Sequence, residues 1–257
     1  MNKKKLIAIL ISFVGLAIVI ILFWPKSKPP KETTVLILLD VTDEYLRNDK
    51  LFFDALKQVF EVIDVDTINN FSNGGTIILQ TLNDLSDSPQ KKIKLLSYDD
   101  GWFGKPELDR IDEIKKIFFD TKLSLQNLLN NSKWNKDHSR IYRPLCANLN
   151  ELANIKTKRI VILFTDLLEN SELFSFYGTS NRKKIQGYIK NISYADSILS
   201  ATSGCSFPIL SEIEINCVTI RTPSNDSLVN LAQVFWSKLF NYKKITKFRI
   251  SSNLNLH

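Results

Sequence analysis

The chain has 257 residues, 44% of them hydrophobic and 24% charged, a balance that suits a folded protein and excludes a wholly disordered one. Its formal charge of +7 gathers at the amino end. Setting aside Lys3, Lys4, Lys5, Lys26, Lys28, Lys31 and Glu32 leaves 28 basic and 26 acidic residues, a net of +2, which removes any charge argument for binding nucleic acid.

Residues 1–5 form a basic flank. Leu6 to Trp24 follows, 19 residues without a charge. As a helix this stretch is about 28 Å long, close to the hydrocarbon thickness of a bilayer. It ends in Phe23-Trp24-Pro25, without the small residues of a cleavage site. An uncleaved single-pass anchor over 6–24 is expected, with Trp24 at the interface. Residues 25–32, "PKSKPPKE", read as a stiff polar tether. Three lysines precede the span and three follow it; the amino-terminal block favours an inside amino terminus, which puts the domain outside the cytoplasm. Residues 33–257 remain, enough for one domain with a sizeable core.

Within the domain, Val35 to Leu39 is a continuous apolar run, the pattern of a strand covered on both faces. Phe52, Leu56, Val59, Phe60 and Ile63 recur at helical spacing. Thr76 to Thr81 reads as a second strand. Lys92 to Tyr98 partly alternates and suits a sheet edge. Leu108 to Leu129 marks a long helix, and Ser139 to Leu152 another. Arg159 to Phe164, "RIVILF", is the third apolar strand. Residues 171–204 form an insertion with a helix near Ile185 to Leu199. A strand over Ile213 to Ile220, a large helix striped by Leu228, Ala232, Phe235, Trp236, Leu239 and Phe240, and a strand over Lys244 to Ile250 complete the order. Strands alternating with helices predict an α/β fold, a mostly parallel central sheet with helices on both faces (Rossmann-like).

In such sheets, sites form at the carboxyl ends of strands. Two apolar strands end in oxygen side chains there. Val35 to Leu39 runs into Asp40, with Thr42 and Glu44 at every second position, and Arg159 to Phe164 runs into Thr165-Asp166. Carboxylates and hydroxyls on neighbouring strand ends are the donors a hard divalent cation takes.

With "LLDVTDE" and "VILFTDLLEN" the sequence resembles the von Willebrand factor A domain. That family has a first strand ending in D-x-S-x-S, a threonine on a middle loop and a "TD" after its fourth strand, which together hold Mg²⁺ open to a partner's carboxylate. The resemblance matches Asp40 to the first aspartate, Thr42 to the first serine, Ser139 to the middle-loop threonine and Asp166 to the later aspartate. It implies a site of Asp40, Thr42, Ser139, Asp166 and Glu44, a Mg²⁺ ion and a protein partner. Two positions depart from it: Glu44 stands where the family has a second serine, and Leu167 where it has a glycine. Structural roles stay open beside these. Thr42 suits a helix cap, and Asp43 and Glu44 suit a helix start.

Phe174, Phe176 and Tyr177 follow Thr165-Asp166 closely, as a partner-binding patch or as a small core under the insertion. Cys146, Cys205 and Cys217 leave pairing of Cys205 with Cys217, or buried free thiols, open. His138 and His257 have no partner at zinc-ligand spacing. The G-x-x-x-x-G-K-[ST], G-x-S-x-G and H-E-x-x-H motifs are absent. The expectation is a membrane-anchored protein-binding module, part of an envelope-associated assembly. The alternative is a metal-dependent phosphohydrolase with Asp40 as nucleophile and Asp166 as metal ligand.

Overall fold

The computed structural model describes residues 32–42, 49–62, 74–82, 90–96, 107–131, 138–219 and 225–251. The chain divides into Met1–Pro30 and Lys31–His257, and the described residues all fall in the second unit. The expected anchor over 6–24, and Asp43 and Glu44, lie outside them. Among the described residues no helix is long and apolar enough to cross a membrane.

The first strand, β1 (Thr33–Leu39), is buried along all seven residues. Alternation sends Val35, Ile37 and Leu39 to one face and Leu36 and Leu38 to the other. A strand of β-branched and leucine residues satisfies both faces only when each is covered by helices. It pairs in parallel with β2 (Gly75–Thr81) on one side and β4 (Lys158–Phe164) on the other. Outside these, β3 (Lys91–Leu95) joins β2 antiparallel, while β5 (Ile213–Val218) and β6 (Lys247–Ser251) extend the sheet in parallel. The order is β3-β2-β1-β4-β5-β6. Exposed Lys91, Lys92 and Lys94 blunt the β3 edge against further pairing. The α/β fold with a mostly parallel sheet is therefore present.

Helices α1 (Asp49–Val62) and α2 (Glu107–Asn131) cover one face through Leu56, Val59, Phe60, Ile114, Ile117, Leu125 and Leu129. The other face carries α3 (Tyr142–Ala153), α4 (Thr179–Lys190), α5 (Ile192–Ser203) and α6 (Asp226–Tyr242). Its centre is aromatic. Trp236 is fully buried, with ring centroids 5.4 Å from Phe235, 5.7 Å from Phe240 and 6.3 Å from both Tyr142 and Phe174.

Several expectations shift. The single helix expected near Ile185 to Leu199 is two, because Asn191 leaves helical backbone (φ −131°) and its side chain accepts the Tyr194 N–H at 3.2 Å to cap α5. The helix expected from Ser139 begins at Tyr142, since Ser139 is taken into a bridge with Asn170. Pairing of Cys205 with Cys217 does not occur. Cys205 bonds Cys146 on α3. Cys217 lies within β5, buried and outside the disulfide, and its thiol donates to the Thr165 carbonyl at 3.3 Å.

The Cys146–Cys205 bridge spans 59 residues of sequence. Closing a loop of that size removes roughly 4 kcal/mol of denatured-state entropy. The double variant Cys146→Ser/Cys205→Ser is expected to lose about that much stability in urea unfolding, whereas Cys217→Ser, outside the bridge, leaves the response to reductant unchanged.

Candidate binding site at the carboxyl edge of the sheet

Register builds this site. Leu39 lies opposite Phe164, so the residues that follow each strand emerge side by side. The ladder runs one step past both strands: Asp40 N–H donates to Phe164 O at 2.8 Å and Thr165 N–H to Val218 O at 3.3 Å. Between β1 and β4 the strand order reverses direction, the switch point at which sites form in doubly wound sheets.

Asp40 is fully buried. Its Oδ1 accepts the Thr42 N–H at 3.1 Å and the Thr42 hydroxyl at 2.6 Å. Its Oδ2 accepts the Ser139 hydroxyl at 3.0 Å and the Thr165 hydroxyl at 2.8 Å. One carboxylate thus gathers three stretches of chain 99 and 125 residues apart in sequence. Of the expected positions, Asp40, Thr42 and Ser139 meet here, and Asp166 follows Thr165, which joins them.

Asp166 is half-buried, and its Oδ1 accepts the Leu168 N–H at 2.9 Å. Burial first, and the charge of Asp40 second, push its pKa up to about 7. Glu169 was not anticipated. It is 1% exposed, and its Oε2 accepts the N–H groups of Ile141 at 2.7 Å and Tyr142 at 2.8 Å. It therefore caps α3, whose own N-cap residue, Ile141, offers no side-chain acceptor. Burial raises its pKa to about 7 although these hydrogen bonds pull the other way. The sequence signal was a helix start, "SRIYRP", lacking an acceptor of its own once Ser139 is committed elsewhere.

Leu167, where the resembled family has glycine, takes a left-handed backbone with φ 62°. For leucine that conformation costs about 1–2 kcal/mol. The surroundings hold it: its N–H donates to Thr165 Oγ1 at 3.0 Å, its carbonyl accepts the Trp236 indole N–H at 3.0 Å, and its side chain is 1% exposed. A backbone conformation that favours glycine is thus held here by a residue that also fills core.

The aromatic loop divides. Phe174 and Phe176 are core, 4% and 0% exposed, stacked 5.2 and 6.0 Å from Phe235. Neither presents a surface to a partner, because the face over β4 and β5 needs that apolar volume. Tyr177 is 44% exposed. Glu44 lies outside the described residues.

Chemically the edge offers two carboxylates and three hydroxyls. Among the described residues no three His, Cys, Asp or Glu side chains are placed to hold a metal ion. Hydroxyls that donate to Asp40 still keep oxygen lone pairs for a cation. The set of hard oxygens fits Mg²⁺, which retains several waters and takes one or two carboxylates. The fit for a nucleophile is poor, since both Asp40 oxygens already accept two hydrogen bonds each away from solvent.

Fold and site together define a doubly wound α/β domain with oxygen side chains gathered at the carboxyl edge of its switch point. No family profile and no curated protein matches the chain in sequence. Among solved structures it is similar to proximal thread matrix protein 1 from the mussel byssus, at 12% identity over 88% of this chain and 43% of that one, with a TM-score of 0.37. It is similar also to the human COPII-coat protein Sec24c, at 11% identity over 89% and 31%, TM-score 0.41. A von Willebrand factor type A structure from Catenulispora acidiphila is similar at 12% identity over 84% and 42%, TM-score 0.34. The chain spans less than half the length of each.

Asp166 and Glu169 bind protons more tightly folded than unfolded. Between about pH 4 and about pH 7 the native state holds protons that the unfolded state has released, so their contribution to stability falls as pH rises through that window and is level above it. Melting curves across this range should show Asp166→Asn with a shallower loss than the parent and a higher melting temperature above pH 7.

Proposed function

We propose that this chain is a membrane-anchored protein-binding module, held by residues 6–24 within an envelope-associated assembly, whose strand-end crevice takes a divalent cation, Mg²⁺ first, to meet a partner's carboxylate. The observation that carries the reading is the convergence of Thr42, Ser139 and Thr165 on buried Asp40, with Asp166 alongside, at the carboxyl edge of the sheet.

In this reading Asp40 positions rather than binds. By accepting their protons it leaves acceptor lone pairs on the Thr42 and Ser139 hydroxyls, while Thr165 Oγ1 also accepts the Leu167 N–H. Asp166 supplies a carboxylate whose present surroundings disfavour its charge, so a cation there removes a cost. The bound ion would supply positive charge with coordination left open to an oxygen of the partner. The Cys146–Cys205 bridge supports placing the domain on the oxidising side of the membrane, since disulfides persist there. Arg140 and Arg143, the cations that follow Ser139, lie 3.4 and 3.2 Å from Glu172, which disfavours the phosphohydrolase alternative with its need for a phosphate-binding cation.

Thermal unfolding of the full chain in mild detergent, titrated with Mg²⁺ and Mn²⁺, tests this. An ion at ten times its Kd stabilises by about 1.4 kcal/mol, or about 4 °C for a domain of this size. The rise should vanish in Asp166→Ala and in Thr165→Val while the fold persists. No shift with either ion in the parent protein would reduce the hydroxyls and Asp40 to a structural knot.

A further inference from the structure

The outer face of α4 breaks two local rules at once. Its twelve residues, "TSNRKKIQGYIK", include Arg182, Lys183, Lys184 and Lys190 and no acidic residue. All four are exposed, and among the described residues no carboxylate pairs with any of them; Lys184 lies over the Tyr188 ring at 5.6 Å. The bases crowd the amino-terminal half, where the helix dipole favours the opposite charge. Lys183, Gly187 and Lys190 recur at steps of four and three, so they share one face, opposite buried Ile185 and Tyr188.

Gly187 is the second anomaly. A mid-helix glycine weakens a helix relative to other side chains. Among the described residues nothing requires it: its backbone is not left-handed, and a Cβ added there meets no atom within 4 Å. The helix itself is held firmly, with Ile185 and Tyr188 in the core and the Ile189 carbonyl accepting Lys238 Nζ at 3.1 Å. The helix thus presents a notch without a side chain, flanked at i−4, i−3 and i+3 by Lys183, Lys184 and Lys190, which among the described residues have no acidic partner. A local rule broken without compensation inside the fold points to a surface used outside it.

We propose that this face of α4 docks an acidic segment of a partner protein, whose backbone seats over Gly187 while its carboxylates meet Arg182, Lys183, Lys184 and Lys190; this rests on the reading of the chain as a protein-binding module. Charge selects the sign of the partner, and the notch selects its kind. A glycine lets another polypeptide backbone approach closely, which a flat lipid surface does not require.

The test uses the full chain in phosphatidylcholine nanodiscs and a fluorescent, helical glutamate–alanine peptide. Binding is expected, and it weakens as salt rises. The triple variant Arg182→Glu/Lys183→Glu/Lys184→Glu should lower affinity by roughly tenfold or more. Gly187→Gln should lower it comparably while raising the melting temperature, a pairing that a merely structural glycine would not produce. Binding should persist with EDTA present and no added divalent cation, which separates this surface from the strand-end site. The proposal is overturned by absence of peptide binding, by undiminished binding in Gly187→Gln, or by phosphatidylglycerol vesicles competing as well as unlabelled peptide.

Discussion

A carboxylate withdrawn from water costs several kcal/mol unless hydrogen bonds replace its hydration. Asp40 meets that demand with four donors drawn from its own turn, from the segment before α3 and from the end of β4. None of those segments can move without leaving a charge exposed to an apolar interior. The Asp40 cluster therefore sets where the edge loops lie, and much of the rest depends on it. Thr165 both donates to Asp40 and accepts from Leu167, which fixes the left-handed turn there. That turn aims the Leu167 carbonyl at Trp236, the centre of the aromatic core. A polar constraint at the sheet edge is in this way tied directly to the hydrophobic packing of α6.

Burial first, and the Asp40 charge after it, sets the electrostatics of the neighbouring carboxyls. Glu169 is nearly buried because α3 begins there without a cap of its own, and two amide donors offset part of its desolvation. Asp166 has one backbone donor, from Leu168, beside the Asp40 charge. Both carboxyls hold protons more tightly than usual as a result. Buried Asp40, half-buried Asp166 and buried Glu169 make this edge of the sheet acidic in composition. The basic face of α4 has the opposite character, so one domain carries two surfaces of unlike sign.

Much of this was readable from residue pattern. Strands β1 and β4 are continuous apolar runs, and a run of that kind has few solutions other than a doubly covered strand. Asp40 and Thr165-Asp166 follow those runs directly, so their location at strand ends was implied once the strands were. Ser139 was placed by resemblance, and it proved to donate to Asp40. Elements bounded by subtler chemistry were missed. The break at Asn191 is a local cap inside a helical pattern, and the late start of α3 comes from a bridge between Ser139 and Asn170, which depends on contacts remote in sequence.

The sequence by itself determined the class of fold and the oxygen-rich strand ends, because side-chain period and apolar runs act locally and leave a readable trace. Only the tertiary structure decided the partners. It joined Cys146, rather than Cys217, to Cys205; it put Phe174 and Phe176 in the core; and it brought Glu169 across 28 residues to cap α3. Each of those outcomes turns on which segments meet in space, and spacing along the chain does not carry that information.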